Sequence, residues 1–245
     1  MLAVQQPPSF QPWPQPLQQP DHALENRTVQ QPSRPPPIAP TPPSPPALGN
    51  LFLSSCPGKK VRLEGPVKGR GGICRDVEAD FARIAALGVC CVVCCLDDEE
   101  LALLGVPWPS YAAAAREARL DVLRLPMPEG LAPGAPQTFD ELLSALLERY
   151  TLRGVHVLVH CRGGVGRAGL VGCCWALRLG LCGWIPAGVY ASRREGEVRA
   201  ETLGLVERAI GVMRRRRSLK AIETYEQVRF LVEYVEFLRS KEGEA

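Results

Sequence analysis

The sequence has no long hydrophobic run, no strong net charge and no internal repeat. Its formal net charge is +3 over 245 residues, which is too small to indicate a nucleic-acid partner. A membrane-spanning helix needs roughly 20 consecutive apolar residues, and the first residues lack the apolar core of a signal peptide. The sequence therefore predicts a protein that binds neither nucleic acid nor membranes.

The sequence also lacks the pattern of a disulfide framework, although it contains 10 cysteines. They lie mainly in apolar segments, whereas disulfide frameworks belong to small, loop-rich secreted chains. The thiols between Cys90 and Cys95 would be divided between the two faces of a strand, so they cannot surround one tetrahedral metal ion. We expect free thiols, no metal, no cofactor, and a cytoplasmic or nuclear location, or both.

Proline and glutamine dominate residues 1–46, which offer no periodic apolar positions to bury. Such a segment cannot offset its ordering entropy, so it is predicted to be a disordered tail. Within it, residues 34–40 read RPPPIAP, a basic residue ahead of a PxxP motif, which indicates a candidate ligand for an SH3 domain. Residues 47–245 are long enough to form one domain with a full core.

Strand-length apolar runs alternate with helical patterns along residues 47–245. Residues 89–96, 122–125 and 155–159 are predicted core strands, and residues 51–53 a short edge strand. Helices are predicted at 76–88, 98–104, 111–118, 138–152, 168–181, 186–194, 200–213 and 222–240. This alternation predicts an α/β fold with a central, mostly parallel sheet flanked by helices.

One motif carries the chemistry: residues 160–167 read HCRGGVGR, between a predicted strand and a predicted helix. Glycines let successive backbone N–H groups point inward, which forms a cradle for a tetrahedral oxyanion at the positive end of a helix. Arg167 can clasp two oxygens of that anion. The same groups favour the thiolate of Cys161, so the motif predicts a cysteinyl-phosphate intermediate.

The motif predicts which residues bind the phosphate and which residue supports the loop. The phosphate-binding set is Arg162, Gly163, Gly164, Val165, Gly166 and Arg167. His160 precedes the nucleophile, and because side chains alternate along a strand, it should point away from the loop. We expect His160 to orient the loop through a hydrogen bond rather than to abstract a proton.

A phosphoenzyme route needs a proton donor for the leaving oxygen, on a loop opposite the cradle. The best candidate is Glu129 in the segment PMPEG, although a solvated loop carboxylate remains an open alternative. Asp140 is the reserve candidate. It lies in the segment TFDE, which matches a capping box opening a helix at Thr138, so its carboxylate is expected to cap that helix.

These residues resemble those of the dual-specificity phosphatases, within the cysteine-based protein tyrosine phosphatase superfamily. The most similar group is the cyclin-dependent-kinase-associated phosphatase family. The resemblance covers about residues 48–240 and rests on the segments HCRGGVGRAGLV, VVCCLDDEEL, PMPEG and KAIETYEQ. It implies that Cys161 is the nucleophile, that Arg167 clamps phosphate, that the amides from Arg162 to Arg167 form the cradle, and that Glu129 is the general acid.

The chain departs from the family pattern at several positions. Glu129 stands where the family usually has Asp, and its longer reach changes the geometry of proton transfer. Ala168 stands where a Ser or Thr hydroxyl usually stabilises the departing thiolate, which predicts that the phosphoenzyme breaks down slowly relative to its formation. In the late segment, Glu223 replaces Gln, and Gln227 is a candidate for assisting the attacking water.

Two further expectations concern the neighbours of the motif. In some relatives a Cys at the end of the upstream strand forms a reversible disulfide with the catalytic Cys, and Cys95 is at the matching position. The run of four arginines at 214–217 is expected on a solvated face.

The sequence as a whole predicts a cysteine-dependent protein phosphatase. The resemblance implies phosphotyrosine as substrate, with phosphoserine and phosphothreonine open, and a phosphorylated protein, such as a kinase, as partner. A weakly catalytic phosphate-binding module remains the alternative. A sulfurtransferase is less favoured because its loop is one residue shorter. A phosphatase of RNA 5′ ends or of phosphoinositides is a further alternative. Enzymes of that kind tend to have more basic loops, and Arg162 is the only residue here that points to them.

Overall fold

The structure is a computed structural model that describes residues 47–183 and 198–243. The predicted tail with its SH3-ligand motif, and the predicted helix at 186–194, lie outside the described residues.

A four-stranded parallel sheet forms the centre of the domain. Its strands are β1 (Leu51–Ser55), β4 (Val89–Cys94), β5 (Asp121–Arg124) and β6 (His156–Cys161), in the spatial order β1-β6-β4-β5. β6 is therefore an inner strand with a parallel neighbour on each side, and its residues from Val157 onward are buried. A continuous apolar run predicts such a position because both faces of the strand are covered.

In the described residues, seven α-helices accompany this sheet, and the predicted fold class is confirmed. They are α1 (Val77–Ala86), α2 (Asp98–Leu103), α3 (Trp108–Glu117), α4 (Pro136–Arg149), α5 (Arg167–Arg178), α6 (Ala200–Arg216) and α7 (Tyr225–Gly243). α1 packs on β4 and α3 on β5, with α2 against α3, whereas α5 packs on β1 and β6 and is itself covered by α6 and α7. This covering explains why α5 carries small and apolar residues on nearly every side.

The predicted strand at 89–96 is buried except at Cys90, whose side chain is exposed. The pairing of β4 with β6 shifts register between Val89 and Cys91. Such a bulge leaves one residue unpaired and turns its side chain out of the regular alternation. The expectation of a strand buried along its whole length was therefore wrong at this one residue.

The predicted capping box at Thr138 was also wrong, because α4 begins at Pro136 and has no side-chain cap. The first N–H groups of a helix have no partner within it, so proline, which lacks an N–H, loses nothing at the first position. Pro136 therefore begins the helix two residues before the predicted capping box. Asp140 is instead 1% exposed. It accepts hydrogen bonds from Tyr234 at 2.7 Å and from Arg178 and Lys241 at 3.1 Å each, so it ties α4 to α5 and α7.

The sequence did not predict a small antiparallel hairpin before α1. Its strands are β2 (Lys60–Val61) and β3 (Ile73–Cys74), joined by a loop in which Val67 and Arg70 form an isolated bridge. The strands are two residues long, too short to produce a periodic pattern. The hairpin lies beside the functional site described next.

Candidate active site

The motif predicted to bind phosphate lies at the carboxyl end of β6, the inner strand of the sheet. Cys161 is the last residue of β6 and pairs in register with Ser55 at the end of β1. The chain then turns through five residues, and α5 begins at Arg167. The carboxyl ends of parallel strands are the usual place for ligand sites in open α/β sheets.

The loop curls around the sulfur of Cys161, which is 4% exposed. The backbone N–H of Gly164 donates a hydrogen bond to Cys161 Sγ over 3.2 Å. Gly164 has φ +71°, and a Cβ there would overlap the backbone of Ser54 and Ser55. Only glycine meets both the left-handed conformation and the close approach, so this residue lets the loop close over the thiol.

Gly166, the last residue before α5, lies against the side chains of Glu223 and Gln227. A Cβ at Gly166 would overlap the carboxylate of Glu223 and lie 3.1 Å from Gln227 Nε2. Gln227 is fully buried, its Oε1 accepts a hydrogen bond from the backbone N–H of Glu223 at 2.9 Å, and its Nε2 has no partner in the described part of the chain. An unpaired, buried amide nitrogen therefore faces the loop.

Arg167 is the most firmly held residue of the loop. Its side chain is 3% exposed and forms a bidentate pair with Glu100, with Nη1 to Oε2 at 2.6 Å and Nη2 to Oε1 at 2.8 Å. Nη1 also donates to the Met127 carbonyl at 2.7 Å. Burial by itself would lower the pKa of Arg167, but the hydrogen bonds and the charge of Glu100 outweigh it and raise the pKa.

The loop with the predicted acid is fixed on both sides of Glu129. Arg167 donates to the Met127 carbonyl on one side, and Thr224 Oγ1 donates to the Gly130 carbonyl at 2.7 Å on the other. Glu129 itself is exposed, with Oε2 3.4 Å from Arg162 Nη1. The carboxylate thus faces the cleft above the loop while its backbone is held.

Cys95, the predicted redox partner, follows β4 directly. Because Cys94 pairs with His160, Cys95 and Cys161 lie at the ends of adjacent parallel strands. The Cys95 N–H donates to the His160 carbonyl at 3.0 Å. Burial, and then the neighbouring Cys161, raise the pKa of the Cys95 thiol well above its ordinary value.

His160 points away from the loop, as expected for its position on the strand. Its ring is fully buried, and its Nε2 is hydrogen bonded to the Tyr111 hydroxyl at 2.7 Å on α3. The His160 side chain therefore links β6 to α3, and the backbone carbonyl of His160 accepts a hydrogen bond from the Cys95 N–H. Burial lowers the pKa of His160 to about 3.

This lowered pKa gives a pH dependence of stability. Below the ordinary histidine pKa of about 6.5 the unfolded chain takes up a proton that the folded chain does not bind. The free energy of unfolding should therefore fall as pH falls from about 6.5 toward about 3, by at most about 1.4 kcal/mol per pH unit from this residue. Urea unfolding at several pH values should show a shallower dependence for His160→Asn than for wild type. Equal slopes would contradict this assignment.

Arg214, Arg215 and Arg216 are exposed, as expected of a solvated run, whereas Arg217 is half-buried and holds the loop from outside. Its Nε donates to the Gly164 carbonyl and its Nη2 to the Gly163 carbonyl, each at 3.0 Å. Arg214, although exposed, donates to the Ala221 carbonyl at 3.2 Å. Because these contacts point the carbonyls of the loop outward, they leave its N–H groups free to face the anion.

The cleft above Cys161 has a volume of about 400 Å³. It is lined by the loop, by Glu129 and Gly130, and by residues that sequence reasoning did not assign to the site: Lys59, Val61, Arg62, Arg70 and Lys220. Among the described residues, no group of three His, Cys, Asp or Glu side chains is placed to hold a metal ion. In the same residues, no helix has both the length and the apolar character needed to cross a membrane.

Comparison with protein-family models matches residues 68–231 to the DSP-PTPase phosphatase domain described as PTP-SAK, a Swiss Army Knife protein. The match covers more than half of the chain and includes the whole loop from Cys161 to Arg167. The chain belongs to this phosphatase family. A search of the curated proteins finds no match.

Solved structures resemble this phosphatase domain in fold. One is kinase-associated phosphatase with its catalytic-site cysteine replaced by serine, with TM-score 0.56 and 21% identity over 80% of this chain and 88% of that one. Another is PTPMT1, with TM-score 0.51 and 15% identity over 80% of this chain and 95% of that one. At these identities the likeness shows the fold and no more.

The structure thus brings together the predicted site residues of this phosphatase domain. Cys161, Arg167, the cradle, Glu129 and Gln227 all line one cleft, and Cys95 lies beside Cys161. Asp140, the reserve acid, is buried away from them. Sequence reasoning missed Glu100, although it lies in the acidic segment after β4, because nothing in the sequence pairs it with Arg167.

Proposed function

We propose that the domain is a cysteine-dependent protein phosphatase that works through a cysteinyl-phosphate intermediate. The observation that carries the proposal is the Cys161 sulfur, which accepts the Gly164 N–H at 3.2 Å within a glycine loop closed by Arg167. That contact supports a thiol at the floor of an anion cradle, where inward N–H groups and a helix N-terminus would stabilise a bound phosphate. Glycine-rich loops without a terminal thiol bind phosphate but form no covalent bond to it.

The first chemical step transfers the phosphoryl group to sulfur. The Cys161 thiolate attacks phosphorus, the bond to the leaving oxygen breaks, and Glu129 gives that oxygen a proton. Arg167 binds two phosphoryl oxygens, which places phosphorus in line with the sulfur and stabilises the charge of the transition state. Glu100 supports this role of Arg167 because its two contacts fix the plane of the Arg167 guanidinium.

The second step hydrolyses the phosphocysteine. Water attacks phosphorus, the sulfur leaves as thiolate, and the proton of the water returns to Glu129. The unpaired Nε2 of Gln227 at Gly166 supports a part in orienting this water. Ala168 is fully buried and offers no hydroxyl to the departing sulfur, so the second step should limit the rate.

This rate limit provides the test of the proposal. Rapid acid quench during turnover of an aryl phosphate, followed by mass spectrometry, should find phosphate on the peptide that contains Cys161. Ala168→Ser should lower the phosphocysteine fraction at steady state and raise kcat by about tenfold or more, since a hydroxyl bond to a charged sulfur is worth about 1.5–3 kcal/mol. Absence of phosphocysteine from a protein that releases phosphate would refute the mechanism.

Phosphorylated proteins are the proposed substrates, with phosphotyrosine first and phosphoserine and phosphothreonine next. The family supports a phosphorylated substrate, and the fold neighbour named kinase-associated phosphatase makes a phosphorylated kinase a reasonable first protein to try. Arg62 and Lys220 are among the residues that line the cleft above the buried thiol. Phosphate release from a panel of phosphopeptides, measured with the full chain, would rank phosphotyrosine, phosphoserine and phosphothreonine as substrates.

A reversible disulfide between Cys161 and Cys95 is the proposed form of redox control. Neighbouring strands lie about 4.8 Å apart, within the range of Cα separations that a disulfide accepts. Peroxide would oxidise the Cys161 thiolate to a sulfenic acid, and the Cys95 thiol would then displace water to form the bond. After mild peroxide, mass spectrometry should find a Cys95–Cys161 peptide, which thiol reductant removes and Cys95→Ser lacks. A sulfinic acid at Cys161, with no linked peptide, would rule it out.

A further inference from the structure

Glu223 brings a carboxylate against the loop that is proposed to hold phosphate. A Cβ placed on Gly166 would lie 3.3 Å from Glu223 Cδ, so the carboxyl carbon is within about 5 Å of the Gly166 Cα. Glu223 also lines the cleft that contains Cys161 and Arg167. The carboxylate of Glu223 and an anion held in the loop would therefore be neighbours.

The backbone fixes Glu223 in this place. Ile222, the residue before it, has φ +62°, and a β-branched residue adopts this left-handed conformation only where its surroundings impose it. Ile222 is buried and lies against Gly169 in the first turn of α5. The N–H of Glu223 donates to Gln227 Oε1 at 2.9 Å. A strained residue and a buried amide thus hold the Glu223 backbone beside the loop.

The carboxylate of Glu223 has no cation of its own among the described residues. None of their ion pairs includes Glu223, whereas Glu129 lies 3.4 Å from Arg162. Glu223 is exposed, so it can exchange protons with solvent. An ionised carboxylate only accepts hydrogen bonds, and so do the oxygens of a phosphate dianion. The two groups repel each other and can share a hydrogen bond only if one proton is added.

Other charged and titratable groups face Glu223 across the cleft. They are Lys59, Arg62 and Arg70 on the side of the hairpin, Cys161, Arg162 and Arg167 in the loop, Glu129 in the acid loop, and Lys220 in its own segment. The cations attract the charge of Glu223 whether or not an anion is bound. A dianion in the loop adds negative potential to this background, and a like charge nearby favours the neutral form of a carboxyl group.

We propose that Glu223 couples the binding of a phosphate dianion in the loop to the uptake of one proton. The proton comes from solvent as the anion binds, lies between the carboxyl group and an anion oxygen, and returns to solvent when the anion leaves. A protonated carboxyl group donates through its O–H, so a hydrogen bond replaces the repulsion. The inference rests on the proposed function and adds to it a residue that determines which anion charge the site accepts.

The coupling gives a pH dependence of binding. As pH rises, the proton is bound less readily, so the Kd of a dianion should rise by at most about tenfold per pH unit. The KM of wild type for an aryl phosphate should rise in the same direction. In Glu223→Gln, whose amide is neutral and can donate without a proton from solvent, KM should depend less on pH.

The test measures protons directly, on the full chain with Cys161→Ser. Sulfate is the probe, because it is a tetrahedral dianion that does not titrate near neutral pH. Calorimetry in two buffers of different ionisation enthalpy gives the number of protons taken up per sulfate, which should approach about one near pH 6. Adding Glu223→Gln should abolish the uptake and strengthen sulfate binding at neutral pH by about tenfold. Glu226→Gln is the matched control, because Glu226 is exposed in the first turn of α7 and does not line the cleft.

The outcomes separate this inference from the phosphatase proposal. Sulfate binding without proton uptake would overturn the coupling alone. Uptake that persists in Glu223→Gln but disappears in Glu129→Gln would assign the proton to Glu129 and also overturn it. Uptake that depends on Glu223, with no phosphate release by wild type from any phosphate ester, would support the coupling and contradict the phosphatase proposal. Failure of every variant to bind sulfate would contradict the cradle, and with it both proposals.

Discussion

Replacing Cys161 by Ser should reduce phosphate release from an aryl phosphate by roughly four orders of magnitude or more. In the proposed mechanism the sulfur forms the covalent bond, and a serine hydroxyl near neutral pH stays protonated and is a weak nucleophile. The sulfur also accepts the Gly164 N–H, and a hydroxyl can keep that contact. The variant should therefore fold and still bind phosphorylated ligands.

The matched control is Cys90→Ser. Cys90 is an exposed thiol at the bulge of β4, away from the cleft, and its replacement should leave kcat within about twofold, as surface substitutions usually do. Activity of Cys161→Ser near that of wild type would refute the nucleophile, and release near background by both proteins would favour the alternative of a phosphate-binding module. Circular dichroism and urea unfolding on both variants would show that the folded state is kept.

Replacing Arg167 by Lys should lower kcat/KM by roughly 100- to 1000-fold, the usual loss when a donor to transition-state charge is removed. Lysine keeps the charge but cannot bind Glu100 and two phosphoryl oxygens with one planar group. Arg167 makes a bidentate contact with Glu100 at 2.6 and 2.8 Å and a third contact with the Met127 carbonyl. The replacement therefore disturbs both phosphate binding and the loop that carries Glu129.

Two further variants separate these effects. Arg116→Lys, on the exposed side of α3, is the matched control and should change kcat/KM little. Glu100→Gln keeps hydrogen-bonding atoms but removes the charge, so it should give an intermediate loss, with KM for phosphate esters affected less than in Arg167→Lys. If Arg167→Lys retains kcat/KM within threefold of wild type, the proposed clamp is wrong.

The local elements near the loop were predictable because their signals are short in range. Each signal favours one type of local structure. Apolar runs favour the strands β4, β5 and β6, glycines favour the turn after Cys161, and small residues favour the buried helix α5. The start of α4 was misjudged because Pro136 and the TFDE segment both favour a helix start, and the sequence does not rank them. The exposure of Cys90 depends on the pairing of two strands, which no local pattern contains.

The sequence by itself determined the proposed nucleophile, cradle and clamp, because Cys161 to Arg167 are contiguous and their geometry follows from one strand, one turn and one helix start. Tertiary structure alone decided the surroundings. Glu100 lies 67 positions along the chain from Arg167, whose guanidinium it binds. Arg217 lies 53 positions from Gly164, whose carbonyl accepts its hydrogen bond. The hairpin with Arg62 reaches the cleft only when the chain is folded. Contacts between distant segments depend on how the elements pack, and spacing along the chain carries no record of them.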